Sequence, residues 1–111
     1  MDHFLFKDED YYGCVEYKRY FNNKKLEKYT TQLLFRLNEG YGKSIYLIGI
    51  NDNGSIYGLD DKELQINIDF IKKMVKNINC KIELILKCNF KDKKFVLIKI
   101  TNPNHNKTII I

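Results

Sequence analysis

Apolar positions along the chain change period several times, and each change marks an element. From Cys14 to Phe21, β-branched and aromatic side chains alternate with polar ones, the period-two pattern of a strand. Asn22 or Asn23 then offers a side-chain oxygen to cap a helix in which Leu26, Tyr29, Leu33, Leu34 and Leu37 recur at helical spacing. Gly40 stands in the place of a C-terminal glycine cap, and Gly42 keeps the following loop tight. The stretch 43–50 (KSIYLIGI) is apolar on both faces, as a central strand is. Asn51-Asp52-Asn53-Gly54 predicts a hairpin turn, because Asn and Gly tolerate the positive φ such turns need, with 55–58 as the partner strand.

A second helix follows. Asp60 and Glu63 have the spacing of a capping box, and behind them Leu64, Ile68, Ile71, Val75 and Ile78 step by four and three. Lys72, Lys73 and Lys76 fall off that apolar stripe. Residues 81–89 and 94–101 predict two strands around a polar turn at 90–93. The order β-α-β-β-α-β-β gives an α+β fold class: one two-layer domain over residues 1–111, with a mixed sheet and both helices on one face. Its ordered core is expected at about 14–101, between a short acidic segment (Asp2, Asp8, Glu9, Asp10) and a polar tail from Asn102 to Lys107. The last four residues, Thr108 to Ile111, form an apolar stub.

Composition narrows the partners. The net charge is +5, and it is uneven: residues 1–56 carry eight basic and eight acidic side chains, residues 57–111 eleven lysines and six acids. A basic half points to a polyanion such as RNA, although lysines also solubilise ordinary helix faces. No stretch approaches the about 20 apolar residues of a membrane helix, and the acidic start is unlike a signal or transit peptide, so a cytoplasmic, membrane-free protein is expected. Cys14, Cys80 and Cys88 are an odd number without a C-x-x-C pair, and read as reduced packing residues. His3 and His105 sit near opposite ends, which argues against a zinc site.

The search for catalytic chemistry finds neither a phosphate-binding G-x-x-x-x-G-K-[ST] loop nor a G-x-S-x-G elbow. Nothing near Cys14 would activate its thiol, and Asp52 is better explained by the turn, and Asp60 and Asp61 by the helix cap, than by a cation. No catalytic, metal or cofactor-binding residue is therefore assigned. Gly49, inside an apolar strand, marks a bulge or a close backbone contact. Tyr17, Tyr20, Tyr46 and Tyr57 either pack against the sheet or stack on bases.

Glu16-Tyr17-Lys18, Thr31-Gln32 with Arg36-Leu37, the run EGYGKSIYLIGINDNG from Glu39 to Gly54, and Gly58-Leu59 together resemble the N-terminal domain of the eukaryotic translational GTPases called GTP-binding proteins one and two. The likeness covers about residues 14–100. In that family a strand leads from this domain into the phosphate loop; here Thr108 to Ile111 resembles its opening, and no nucleotide site is carried over. A free-standing copy of the domain resembles the microsporidian dormancy factors. That resemblance implies a monomer that binds the small ribosomal subunit at the tRNA exit site and blocks translation by occlusion, without enzymatic chemistry, cofactor or nucleotide. AlbA-type domains of Schlafen-like proteins share the E-[FY]-K strand and the hairpin from Ile48 to Leu59, and imply an RNA-binding or RNA-cleaving alternative in which Glu16 is one carboxylate of a cluster.

Under the ribosomal reading, rRNA phosphates fall to Lys18, Arg36 and Lys43. Parallel pairing of their strands is expected to place Lys18 and Lys43 toward one end of the sheet. The turn Asn51, Asp52, Asn53 and Gly54, with Asn104 and His105 in the tail, is assigned to ribosomal-protein contact.

Overall fold

Four strands form one mixed sheet in the order β1-β2-β4-β3. The elements run β1 (Val15–Lys18), α1 (Leu26–Glu39), β2 (Lys43–Ile48), α2 (Asp61–Asn77), β3 (Lys81–Phe90) and β4 (Lys93–Thr101). The structure is a computed structural model that describes residues 5–105; Asp2, His3, Lys107 and the apolar stub lie outside the described residues. β1 is parallel to β2, and β4 is antiparallel to both β2 and β3.

Both helices cover one face, as the sequence predicts. Leu33 and Leu37 from α1 and Leu64, Ile68, Ile71, Met74 and Val75 from α2 meet Tyr46 and Ile48 of β2 and Val96, Ile98 and Ile100 of β4. Each fully buried aliphatic side chain there is worth about 1.5–3 kcal/mol. A smaller cluster on the opposite face, Tyr17, Leu47, Ile50 and Phe95, is closed over by Phe6 and Ile56. The capping box of α2 forms in full: Glu63 N–H donates to Asp60 Oδ1 at 2.8 Å, and Asp60 N–H donates to Glu63 Oε1 at 3.0 Å.

The structure differs from the sequence pattern at four places, each with a physical reason. β1 ends at Lys18 rather than Phe21, because the chain bulges at Gly49 (φ +96°), immediately after β2, and the Lys18 carbonyl accepts both Gly49 N–H (2.7 Å) and Ile50 N–H (3.2 Å). Phe21 turns into the helix-side core, its N–H donated to Asn67 Oδ1 at 2.6 Å. The same bulge reduces the 55–58 arm to a single bridge, Ile50 to Ile56, after which Leu59 pairs with Lys94 of β4. Asn22 does cap, but it caps a short 3-10 turn, Asn23–Lys25, ahead of α1. Gly40 follows α1 at φ −96°, outside the left-handed region, and Tyr41 takes φ +54° instead; a Cβ at Gly40 would lie 1.9 Å from the Lys43 carbonyl oxygen, so close approach explains the glycine.

Candidate functional site

Residues 5–13 form a strap that runs from the 51–54 turn across β1 to α1. Phe6 N–H donates to Gly54 O (3.3 Å) and Glu9 N–H to Asp52 O (2.7 Å). The Tyr17 hydroxyl donates to Lys7 O at 3.0 Å, and the Glu9 carboxylate accepts Tyr17 N–H at 2.5 Å, which satisfies an outward-facing amide of the edge strand. Arg36 anchors the other end: its Nη1 donates to Gly13 O and its Nη2 to Asp10 O, both at 2.9 Å.

Arg36 is 4% exposed and Glu16 7%, and they meet through a 2.9 Å contact from Arg36 Nε to Glu16 Oε1. Glu9 Oε2 lies 3.6 Å from Arg36 Nη2. Burial, with Glu16 close by, pushes the Glu9 carboxyl up to about 7, although its hydrogen bond from Tyr17 works the other way. Burial likewise pushes the Tyr46 hydroxyl well up, and that hydroxyl and Gln32 Oε1 are buried without a hydrogen-bond partner among the described residues. A cleft of about 760 Å³ opens beside these groups, lined by Glu9, Asp10, Glu16, Gln32, Arg36 and Asp52 among others. Exposed Tyr11 lines it together with Phe35, and the Tyr11 and Tyr12 rings lie 6.3 and 6.4 Å from the Phe35 ring. The arrangement pins an acidic strap over an otherwise open strand edge.

The sequence-assigned contact residues separate into three environments. Arg36 lies inside the protein, its guanidinium engaged by Glu16 and strap carbonyls. Lys18 is mostly covered, 3.5 Å from Glu16 Oε2 and 4.9 Å above the Tyr29 ring. Lys43 is exposed. The two lysines lie at opposite ends of the sheet, contrary to expectation: parallel strands start at the same end, and Lys18 closes β1 beside Ile48 while Lys43 opens β2.

At the Lys18 end, the turn holds Asp52 and Asn53 exposed but Gly54 buried beneath the strap. It is pinned from within: Asn53 Oδ1 accepts Ser55 N–H (3.0 Å) and Ser55 Oγ–H (2.6 Å), and Asn51 Nδ2 donates to Ser55 Oγ (2.9 Å). At the Lys43 end, Asn102 N–H donates to Gly42 O (2.8 Å), while Asn102 O and Oδ1 accept His105 N–H and Asn104 N–H. This brings Lys43, Asn104 and His105 together. Of the four tyrosines flagged in the sequence, Tyr17 and Tyr46 are core residues; Tyr20 and Tyr57 are exposed, their rings 5.9 Å apart with Arg19 over Tyr57. The strap was missed: acidic residues without periodicity carry no local signal for hydrogen bonds made with segments far along the chain.

Among the described residues, no group of three His, Cys, Asp or Glu side chains is placed to hold a metal ion, and no helix is long and apolar enough to cross a membrane. The three cysteines are free thiols.

No protein-family model matches the chain, and no solved structure matches it. It is 34% identical over 104 residues to an uncharacterised protein of Acanthamoeba polyphaga mimivirus, an alignment covering 90% of this chain and 56% of the viral protein. It is 32% identical over 76 residues to GTP-binding protein 2 of Mus musculus and of Homo sapiens, covering 66% of this chain and 13% of those proteins. The chain thus spans about half the length of the viral relative and a small part of the mammalian ones. The likeness supports a relation to the N-terminal region of that GTPase, the relation the Glu39–Gly54 segment implies.

Proposed function

We propose that the chain is a ribosome-binding dormancy factor, which occupies the tRNA exit site of the small subunit and stops translation by filling it. The observation that carries this reading is the placement of two internally pinned polar clusters at opposite ends of one sheet: the 51–54 turn, with Asp52 and Asn53 exposed, at one end, and exposed Lys43 and Asn104 with half-buried His105 at the other. A wedge that touches two walls of a cavity needs such a pair, fixed before binding so that little conformational entropy is lost on contact. The relation to a GTP-binding protein supports a place in translation. Lys43 is the cation best placed for rRNA phosphate, since Arg36 and Lys18 are engaged within the protein.

Co-sedimentation with ribosomes from the native source tests the reading. The chain should pellet with ribosomes at moderate salt, occupancy should fall when deacylated tRNA is added, and Lys43→Glu should weaken binding without unfolding the domain. Ribosomes that carry none of the protein would sink the proposal.

A further inference from the structure

The cleft beside the strap is strongly acidic. Asp8, Glu9, Asp10, Glu16 and Asp52 line it, and Arg36 is the one basic side chain among its described lining. Arg36 is already committed: its Nε donates to Glu16 Oε1 at 2.9 Å, and Nη1 and Nη2 donate to the Gly13 and Asp10 carbonyls. Lys7 pairs with Asp10 at 2.8 Å, but among the described residues Asp8 and Asp52 have no cation within ion-pair distance. The Glu9 carboxyl lies close enough to Glu16 and Asp52 for both charges to oppose its ionisation. Carboxyl groups crowded in this way are relieved by a cation that enters from outside.

Two further features select the kind of cation. Phe35 and Tyr11, which is 79% exposed, line the same cleft with their ring centres 6.3 Å apart, and Tyr12 stands 4.9 Å from Tyr11. An aromatic face attracts a cation, and a guanidinium both stacks on the ring and presents a planar fork of donors, which an ammonium does not. Gln32 also lines the cleft, and its Oε1 is buried without a hydrogen-bond partner among the described residues. That acceptor needs a donor, and a guanidinium carries five. The fold already shows the combination once: the Arg36 guanidinium lies 5.7 Å from the Phe35 ring centre while bonded to Glu16. A phosphate backbone would meet only repulsion from Asp8 and Asp52.

We infer that this cleft receives an arginine side chain from a basic segment of a ribosomal protein, held by the carboxylates of Asp8 and Asp52 and by the Tyr11 ring, with Gln32 Oε1 as a neutral acceptor. The arginine chemistry stands on the cleft alone. That the segment is ribosomal rests on the ribosomal reading, which already gives Asp52 and Asn53 to a protein contact.

The test is an amide NMR titration of the full chain with a ten-residue peptide of alternating glycine and arginine. Saturable shifts are expected at Tyr11, Gln32 and Asn53, with a Kd on the order of 1 mM. The same peptide with lysine should bind about threefold more weakly, and with glutamine it should not bind. Asp8→Asn/Asp52→Asn should weaken binding about fivefold, and Tyr11→Ala and Gln32→Leu about threefold each. Asp8, Tyr11 and Asp52 are exposed and Gln32 Oε1 bonds nothing within the described chain, so these variants should fold, as circular dichroism checks. Absence of saturable shifts at about 5 mM peptide, equal binding of the glutamine peptide, parent affinity in any of the three variants, or an RNA hairpin that shifts the same amides overturns the inference. Ribosome co-sedimentation that persists beside such a result removes only the arginine site; peptide binding without ribosome binding removes the ribosomal reading and leaves the site.

Discussion

Glu9 makes stability depend on pH in a direction opposite to that of most paired carboxylates. Its carboxyl ordinarily titrates near 4.5 and is pushed up to about 7 in the fold, chiefly because burial disfavours the charged form. Below pH 4.5 the group is protonated in both the folded and the unfolded chain, and nothing is lost. As pH rises toward 7 the unfolded chain releases the proton that the folded chain retains, so stability falls; above 7 the loss is complete. At 1.36 kcal/mol per pH unit the ceiling is about 3 kcal/mol. Glu9 is only half buried, and solvent screening cuts this to about 1–2 kcal/mol. Glu9→Gln keeps an oxygen to accept Tyr17 N–H and removes the charge beside Glu16. The variant should therefore exceed the parent by about 1–2 kcal/mol at pH 8, a rise of about 4 °C or more in Tm, and the advantage should vanish toward pH 4. Thermal melts of both proteins followed by circular dichroism across that range read the difference directly, and titrating groups remote from Glu9 cancel in it. Parallel curves, or a variant weaker at pH 8, would show that Glu9 is stabilised as the anion and that the strap is held by charge.

Two further substitutions probe the framework. Arg36→Met leaves the buried Glu16 carboxylate with only the 3.5 Å contact to Lys18 and frees the strap, so it should cost about 3–5 kcal/mol in urea denaturation; Arg36→Met/Glu16→Leu should recover most of that loss, whereas simple additivity of the two single costs would refute the pairing. Gly49→Ala forces a side chain to φ +96° with its Cβ 3.0 Å from Phe95 Cβ, and should cost about 1–3 kcal/mol; an unchanged urea midpoint would mean that the bulge relaxes freely.

What could be read from the sequence, and what could not, follows the range of the interactions involved. The α2 capping box and its four-three stripe are local signals, and both appear as read. Gly49 was legible as an irregularity because an isolated glycine in an apolar strand has no packing role of its own. The α1 stripe was misread at one position. Leu34 is 51% exposed while Arg36 points inward, because a buried Glu16 on β1, twenty residues away, supplies a partner that hydrophobicity cannot anticipate. The separation of Lys18 from Lys43 depends on which end of each strand a lysine occupies, and the parallel pairing itself was expected correctly. The acidic cleft is the least legible feature, since it joins the strap, β1, α1 and the turn after β2.

The loop after β4 turns on a single residue. Asn102 uses its N–H to hold Gly42 O, its carbonyl to accept His105 N–H at 3.2 Å, and its side-chain Oδ1 to accept Asn104 N–H at 3.0 Å. Asn102→Ala removes only the last of these and leaves the net charge unchanged. A side-chain hydrogen bond of this kind is worth about 0.5–1.5 kcal/mol, and here most of it serves to fix the loop rather than the fold. If the loop touches the ribosome as a preorganised surface, the freedom regained in the variant must be lost again on binding, so ribosome affinity should fall by about three- to tenfold. Because no cation is removed, the salt dependence of co-sedimentation should stay that of the parent chain. That separates a preorganisation effect from a phosphate contact, which would change affinity and slope together. Parent-like affinity in Asn102→Ala, with circular dichroism unchanged, would place Asn104 and His105 outside the contact surface and leave Lys43 as the contact at that end.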